Sequence, residues 1–398
     1  MVDSAPSSTT GAGRLTLAIP RETVPNETRV GLVPDAVKRL SKTVDIIVES
    51  GAGTASSYSD QAYIDAGATI VPDAATLYRQ AGLVLKVQKP QLDEVSLLQP
   101  GSALIALLQP QVNIDLIRQL AEGNVTALSM DAIPRITRAQ SMDALSSMST
   151  VGGYKAVLLA ADFLPKFFPM LMTAAGTIAP AKVLVIGAGV AGLQAIATAR
   201  RLGAVVESYD TRPVVKEQVE SLGAKFVEVD MTGIEGETQD SGGYAREASP
   251  ELLRRQQETL SNRAIRSDVI ITTALVPGRP APTLLSEDTI SQMQPGSVIV
   301  DMAAEAGGNC ELTVPGEVVV RHGVTLIGLL NLPATIPFHA SQMYSKNIEN
   351  LLALLITKEG QLNLNFEDEI VKGTVITLDG EVVHEATKAL LQPAEASS

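Results

Sequence analysis

The chain has 398 residues, of which 45% are hydrophobic, and its formal net charge at pH 7 is −13. This length exceeds the usual size of one domain, so two domains are expected. The acidic balance, without a visible basic patch, argues against a nucleic-acid partner. One cysteine, Cys310, excludes an internal disulfide, and together with three histidines it forms no cluster with the spacing of metal ligands.

The first half of the chain shows short apolar runs that alternate with helix-forming stretches. Residues 1–13 lack the charged and apolar regions of a signal peptide and are predicted to be a disordered tail. The predicted strands that follow are 15–19, 44–48, 83–87, 103–107 and 125–129, and the predicted helices are 34–40, 60–67, 74–81 and 114–122. Strands alternating with helices indicate a parallel, doubly wound sheet.

A polar, serine-rich stretch at 135–149 interrupts this pattern, and a helix-forming stretch at 152–163 follows. Further strands are predicted at 182–187, 205–210, 225–229, 268–273, 297–301 and 324–328. A long apolar-periodic helix at 341–356 has no strand beside it and is long enough to close the first domain, whereas residues from 358 onward show no decisive pattern. We therefore predict an α/β fold of two Rossmann-like, doubly wound parallel-sheet domains. The first is discontinuous (14–148 with 337–398), and the second spans 149–336.

The second series begins with a glycine fingerprint that follows an apolar strand and opens a helix. Gly187, Gly189 and Gly192 have the G-x-G-x-x-G spacing, and Asp210 ends the next apolar strand. In dinucleotide-binding folds the first glycine permits a tight turn, the second lets the pyrophosphate approach, and the third lets the helix pack on the sheet. The helix N-terminus offers N–H groups to the anion. We therefore interpret 183–210 as a dinucleotide site, the alternative being a glycine-rich turn that binds nothing.

The acidic residue at the end of the second strand predicts which nucleotide binds. Asp210 should accept hydrogen bonds from the adenosine ribose hydroxyls and repel a 2′-phosphate, which favours NAD(H) over NADP(H). Arg212, two residues further on, could instead attract that phosphate. We rank the carboxylate higher because it lies at the strand end itself.

Several longer motifs resemble one known family over about residues 14 to 356. They are Pro20-Arg-Glu-Thr with Arg29-Val-Gly, Lys86-Val-Gln-Lys-Pro90, the loop 134–147, the stretch Thr272–Pro282, and 296–311 with Val314-Pro-Gly-Glu317. The chain is similar to the NAD(H)-binding α subunits of proton-translocating transhydrogenases, in the family shared with alanine dehydrogenases.

The resemblance implies reversible hydride transfer between NAD(H) on this chain and NADP(H) on a partner β subunit, coupled to proton translocation through a membrane-spanning subunit. It implies a homodimer at the cytoplasmic face of a bacterial membrane, or at a thylakoid. The implied catalytic residues, which contact the nicotinamide half, are Arg135, Gln140, Asp143 and Ser146. The implied cofactor contacts are Gly187, Gly189, Val190, Gly192, Asp210, Thr211, Arg212, Ala274 and Leu275, with Gly243 and Tyr244 in a loop that closes over the nucleotide. By composition alone, the loop 135–146 could be a solvated interdomain loop, and the glycine pair at 242–243 an ordinary flexible one.

Alanine dehydrogenase is the main alternative, and its chemistry argues against it. Oxidising an amino acid needs proton-transferring groups, and where that enzyme's pattern has a histidine this chain has Gln109, which cannot titrate. Its second catalytic acid corresponds to Glu305, whereas Arg29 and Lys86 match its substrate-binding cations. Hydride transfer between two nicotinamides needs positioning rather than acid–base groups. A third hypothesis is a module that senses NAD(H) without catalysis.

Overall fold

The structure is a computed structural model that describes residues 13–230, 249–275 and 280–391. The chain divides into two compact units. Unit 1 comprises Met1–Met148 with Pro333–Ser398, and unit 2 comprises Ser149–Leu332. The unit boundaries at 148/149 and 332/333 compare with predicted domain boundaries at 148/149 and 336/337.

Unit 1 is built on a mainly parallel sheet. Its strands are β1 (Thr16–Ile19), β2 (Asp45–Glu49), β3 (Thr69–Val71), β4 (Leu83–Gln88), β5 (Ala103–Leu107), β6 (Thr126–Ser129), β16 (Val375–Leu378) and β17 (Glu381–Val382). Within the described residues they lie in the order β17-β16-β6-β5-β4-β1-β2-β3. Strands β1 to β6 are parallel, and β16 pairs antiparallel with β6. The order reverses between β1 and β4, which is the feature of a doubly wound sheet.

Helices cover this sheet. They are α1 (Pro34–Leu40), α2 (Asp60–Asp65), α3 (Ala74–Gln80), α4 (Leu92–Val95), α5 (Ile114–Glu122), α11 (Pro337–Leu355), α12 (Glu369–Thr374) and α13 (Glu385–Leu391). Side-chain caps fix several starts; for example, Asp73 accepts a hydrogen bond from the Thr76 N–H at 2.7 Å. The long helix α11 packs into unit 1, where the Tyr344 hydroxyl donates to the carbonyl of Lys86 at 2.8 Å.

Unit 2 contains a second mainly parallel sheet and a separate hairpin. Its strands are β7 (Leu171–Thr173), β8 (Gly176–Ile178), β9 (Lys182–Ile186), β10 (Val205–Tyr209), β11 (Lys225–Phe226), β12 (Val269–Thr272), β13 (Val298–Asp301), β14 (Val318–Arg321) and β15 (Val324–Ile327). In the part of the chain described, the sheet order is β11-β10-β9-β12-β13-β15-β14, with β14 alone antiparallel to its neighbour. Strands β12 and β13 are buried along their whole length, which explains why parallel strands read as continuous apolar runs.

The helices of unit 2 are α7 (Val190–Arg201), α8 (Lys216–Ser221), α9 (Pro250–Ala264) and α10 (Glu287–Ser291), and α6 (Ala144–Phe163) spans the boundary at residue 148. The predicted α/β class with two doubly wound sheets is confirmed. The sequence did not predict β14, the β7–β8 hairpin or β16, since short edge strands carry few apolar positions. Among the described residues, every helix is too short or too polar to cross a membrane.

Candidate functional site

The strand order of unit 2 reverses between β9 and β12, so the carboxyl ends of these two strands flank the point where such sheets bind ligands. Gly187 follows β9, and Thr273 follows β12. The N–H of Thr273 donates to the carbonyl of Ile186 at 2.8 Å, and its hydroxyl donates to the carbonyl of Gly187 at 3.2 Å. The glycine turn is therefore tied directly to the loop after β12.

The three fingerprint glycines differ in what surrounds them. Gly187 has a φ of +97°, and a side chain there would overlap the Thr273 hydroxyl. A side chain at Gly192 would overlap the carbonyl of Gly187. A Cβ at Gly189, in contrast, would have no atom within 4 Å. The protein itself thus requires the first and third glycines, and the second leaves an open approach to the backbone.

Helix α7 begins at this open approach, with Gly189 as its N-cap. Val190, its first residue, is 44% exposed. The first N–H groups of a helix have no carbonyl partner within that helix, and the macrodipole places partial positive charge there. This helix end is suited to an anionic group such as a pyrophosphate.

Asp210 lies just after β10, and its side chain is only 6% exposed. Within the described residues its carboxylate accepts hydrogen bonds at both oxygens. Oδ2 accepts from the Ala188 N–H at 2.7 Å and from Nη2 of Arg212 at 3.0 Å, while Oδ1 accepts from the N–H and Nε of Arg212 at 2.8 and 3.0 Å. Burial alone would raise the pKa of Asp210, but the hydrogen bonds from Arg212 and Ala188 outweigh it and hold that pKa below its ordinary value.

The acceptor sites of this carboxylate are therefore already in use. The Ala188 and Arg212 backbone N–H groups are fixed by the fold, whereas the Arg212 side chain is 58% exposed and can rotate away. Ribose hydroxyls could reach Asp210 by replacing the guanidinium. The two interpretations of Asp210 and Arg212 thus meet in one ion pair, and Thr211 between them is exposed.

The loop after β12 carries the remaining described cofactor candidates. Both polar backbone groups of Ala274 are hydrogen-bonded by the side-chain amide of Asn309. Leu275, the next residue, is 57% exposed. The sequence pattern did not single out Asn309, although it lies inside the motif at 296–311. Gly243 and Tyr244 lie outside the described residues.

The polar loop in unit 1 contains a short 3₁₀ helix, Thr137–Met142, before α6. Arg135 and Gln140 are exposed. Asp143 caps α6, since its carboxylate accepts from the N–H and hydroxyl of Ser146 at 2.8 and 2.6 Å. Asp143 and Ser146 are thus brought together as a helix start.

Distant residues fix the position of this loop. Arg138 forms a bidentate ion pair with Asp368, with both distances 2.7 Å. The amides of Asn347 and Asn350 on α11 each donate to the carbonyl of Ser141 at 2.9 Å. These anchors were missed because they are more than 200 residues away in sequence and carry no local signal.

The residues that match the dehydrogenase substrate pocket also lie in unit 1, where they are ion-paired. Arg29 makes a bidentate pair with Glu27 at 2.8 and 2.6 Å. Lys86, 0% exposed, lies 2.6 Å from Glu94 and 3.6 Å from Glu22. Two cations that could hold a substrate carboxylate are therefore neutralised by carboxylates of the chain itself.

The proton-transfer positions of that pocket also differ from the dehydrogenase pattern. Gln109 is exposed and has a left-handed backbone, with φ +48°. Glu305 is exposed and accepts a hydrogen bond from the N–H of Asn331 at 2.8 Å.

Comparison with known proteins places these features. The chain matches the alanine dehydrogenase/PNT N-terminal domain over residues 18–152 and the corresponding C-terminal domain over residues 156–385. An NAD(P) transhydrogenase subunit alpha protein of Rhodospirillum rubrum is 47% identical over 377 residues, which cover 93% of this chain and 98% of that protein. The crystal structure of transhydrogenase from Sinorhizobium meliloti has a TM-score of 0.84 at 44% identity and covers 92% of this chain and 100% of that one. Alanine dehydrogenase of Bacillus subtilis is 29% identical over 381 residues, which cover 93% of each chain.

Proposed function

The chain belongs to the alanine dehydrogenase/PNT family, and from this premise we propose that it is the NAD(H)-binding component of a proton-translocating NAD(P) transhydrogenase. Its identity to transhydrogenase α subunits exceeds its identity to alanine dehydrogenases. The reaction is reversible hydride transfer between NAD(H) on this chain and NADP(H) on a partner subunit, coupled to proton translocation.

The observation that carries the NAD(H) proposal is the glycine turn at the β9 end together with the ionised Asp210. The pyrophosphate approaches the open face of Gly189 at the start of α7. The ribose hydroxyls bind Asp210, displacing the guanidinium of Arg212. An ionised carboxylate repels a 2′-phosphate, which favours NADH over NADPH. Val190, Thr211, Ala274 and Leu275 flank the nucleotide in this proposal.

The polar loop of unit 1 is proposed to position the nicotinamide. When bound, the nicotinamide supplies or accepts the hydride, and no protein group has to transfer a proton. Arg135 and Gln140 are exposed polar side chains on a loop that Arg138 and Asp368 fix, and Asp143 with Ser146 holds its end. Positioning of this kind can supply a large part of a rate enhancement.

The partner subunits are also part of the proposal. The relatives are named as subunits, and this chain carries one dinucleotide fingerprint, so NADP(H) is proposed to bind a β subunit. The proton path is assigned to a membrane-spanning subunit, with this chain docked at the cytoplasmic face of a bacterial membrane or at a thylakoid. We also propose a homodimer. The β7–β8 hairpin supports it with exposed apolar side chains, among them Met170, Met172 and Ile178.

The function is tested by mixing the chain with a purified NADP(H)-binding partner subunit and following the reduction of an NAD⁺ analogue by NADPH. We expect hydride transfer in the mixture, and no NADH formation when the chain alone receives alanine and NAD⁺. The absence of a titratable group at Gln109 and the neutralised Arg29 and Lys86 are the reasons.

Robust alanine oxidation by the isolated chain would contradict the proposal and favour the dehydrogenase. NADH binding without transfer in the mixture would favour a sensing module instead.

A further inference from the structure

Asn309 joins the loop after β12 to the end of β13. Its Nδ2 donates to the carbonyls of Ala274 and Pro282 at 2.8 and 2.9 Å, and its Oδ1 accepts from the N–H of Ala274 at 3.0 Å. The side chain thus bonds Ala274 as a neighbouring strand would. Because Asn309 is fully buried, water cannot replace these bonds, and each group left without a partner would be costly.

Asp301, at the end of β13, holds Asn309 in turn. Its carboxylate accepts from the N–H of Asn309 at 2.8 Å and from the hydroxyl of Thr272, the last residue of β12, at 2.9 Å. It also accepts from the Thr313 hydroxyl at 2.7 Å. Asp301 is buried to 1% exposure, so the support beneath Asn309 is itself fixed.

The loop held in this way borders the dinucleotide turn. Thr273, one residue before Ala274, bonds the carbonyls of Ile186 and Gly187. A shift of Ala274 would therefore move the floor of the glycine turn as well as the exposed Leu275. Each neighbour of Asn309 in this loop is a backbone group, so the amide sets the loop's conformation whatever side chains the loop carries.

We infer that Asn309 is a positioning residue for the bound nucleotide: its amide, acting as donor and acceptor at once, fixes the Ala274–Leu275 backbone against which NAD(H) binds. This inference rests on the proposed function. It assigns the role to a side chain that cannot touch the nucleotide and acts through Ala274.

The test is Asn309→Asp in the full-length chain. The carboxylate keeps the acceptor for the Ala274 N–H but loses the donors to Ala274 and Pro282, and it faces those carbonyls with negative charge. We expect the dissociation constant for NADH to rise on the order of ten- to a hundredfold. With the partner subunit present, KM for NADH should rise by a larger factor than kcat falls.

The matched control is Thr289→Val on α10. This buried hydroxyl bonds Ser261 and Ser286 at 2.9 and 3.1 Å and none of the fingerprint residues. It should lower the unfolding temperature while leaving NADH affinity unchanged. Asn309→Ser, which keeps one hydroxyl and leaves room for a water, should give a smaller loss of affinity and serves if the aspartate variant does not fold.

Wild-type affinity in either Asn309 variant, or an equal loss in Thr289→Val, would overturn the inference. Failure of the wild-type chain to bind NADH would instead overturn the proposed function, so the two failures are distinguishable.

Discussion

At the scale of single residues, the ion pair of Asp210 and Arg212 decides how the candidate site discriminates nucleotides. The carboxylate is nearly buried and the guanidinium is mostly exposed. An arginine beside a ribose site is often read as a 2′-phosphate ligand, but here its charge is paired with Asp210. Discrimination therefore follows the carboxylate, which stays ionised.

Replacing Asp210 with alanine should weaken NADH binding and narrow the preference over NADPH. Losing the hydrogen bonds to the ribose should cost about 1.5–3 kcal/mol, or roughly ten- to a hundredfold in affinity. Titration calorimetry with both nucleotides measures the effect. Glu207→Ala is the control, because it removes a carboxylate from the same region (β10), where Glu207 pairs with Arg263. Equal wild-type affinities for NADH and NADPH would show that Asp210 does not discriminate.

The depressed pKa of Asp210 predicts how this affinity depends on pH. The ionised form accepts the ribose hydroxyls, so protonation should weaken binding. Because the pKa lies below the ordinary aspartate value of about 3.9, NADH affinity should be level across neutral and mildly acidic pH in the same titrations.

At the scale of elements, the C-terminal segment gains a role that the sequence did not suggest. Strand β16 closes one side of the first sheet by pairing antiparallel with β6, and the register shifts between Val375 and Thr377. At this irregularity the Thr377 hydroxyl donates to the Val125 carbonyl at 2.7 Å and accepts from the Ala127 N–H at 3.0 Å. A side chain thus supplies ladder bonds where the backbone pairing is interrupted.

Thr377→Val should therefore destabilise unit 1. The valine fills similar volume but leaves a buried N–H and a buried carbonyl without these partners, which should cost about 1–3 kcal/mol. Chemical denaturation followed by circular dichroism measures the change. Thr69→Val, at an exposed position of edge strand β3, should change the free energy of unfolding little. Equal stability of the two variants would mean that the Thr377 bonds contribute nothing net.

At the scale of the whole molecule, buried ion pairs make folding depend on pH. Burial would raise the pKa of Glu27, but the hydrogen bonds and charge of Arg29 outweigh it and lower that pKa to about 2. A lowered folded-state pKa contributes stability above the unfolded value, and this contribution is lost as pH falls through the folded value. Glu22 acts in the opposite sense, since burial raises its pKa.

The Glu27 contribution, on the order of 3 kcal/mol, should disappear between about pH 4.3 and pH 2. Glu27→Gln should be less stable at neutral pH, because Arg29 keeps a buried charge, yet should lose less further stability on acidification. Denaturation at a series of pH values measures both slopes. Glu251→Gln, on the exposed face of α9, should follow the wild type because exposed pairs are screened. An unchanged acid slope in Glu27→Gln would contradict the assignment.

The sequence alone determined the class of fold, the glycine turn and the acid that follows it. These features are local: a strand, a turn and a helix start are specified within a few tens of residues, and glycine is required wherever the backbone demands φ above zero or a close approach. The motifs of the family also lie in continuous stretches, so the resemblance is visible in the sequence without the fold.

Tertiary structure alone decided which residues hold those local features in place. Asn309 reaches Ala274 across 35 positions, and Thr377 reaches Val125 across 252. Arg29 and Lys86 read as ligands in the sequence but are ion-paired in the fold. Such partnerships have no local signature, because they arise only when packing brings distant segments together and buried polar groups must find partners without water.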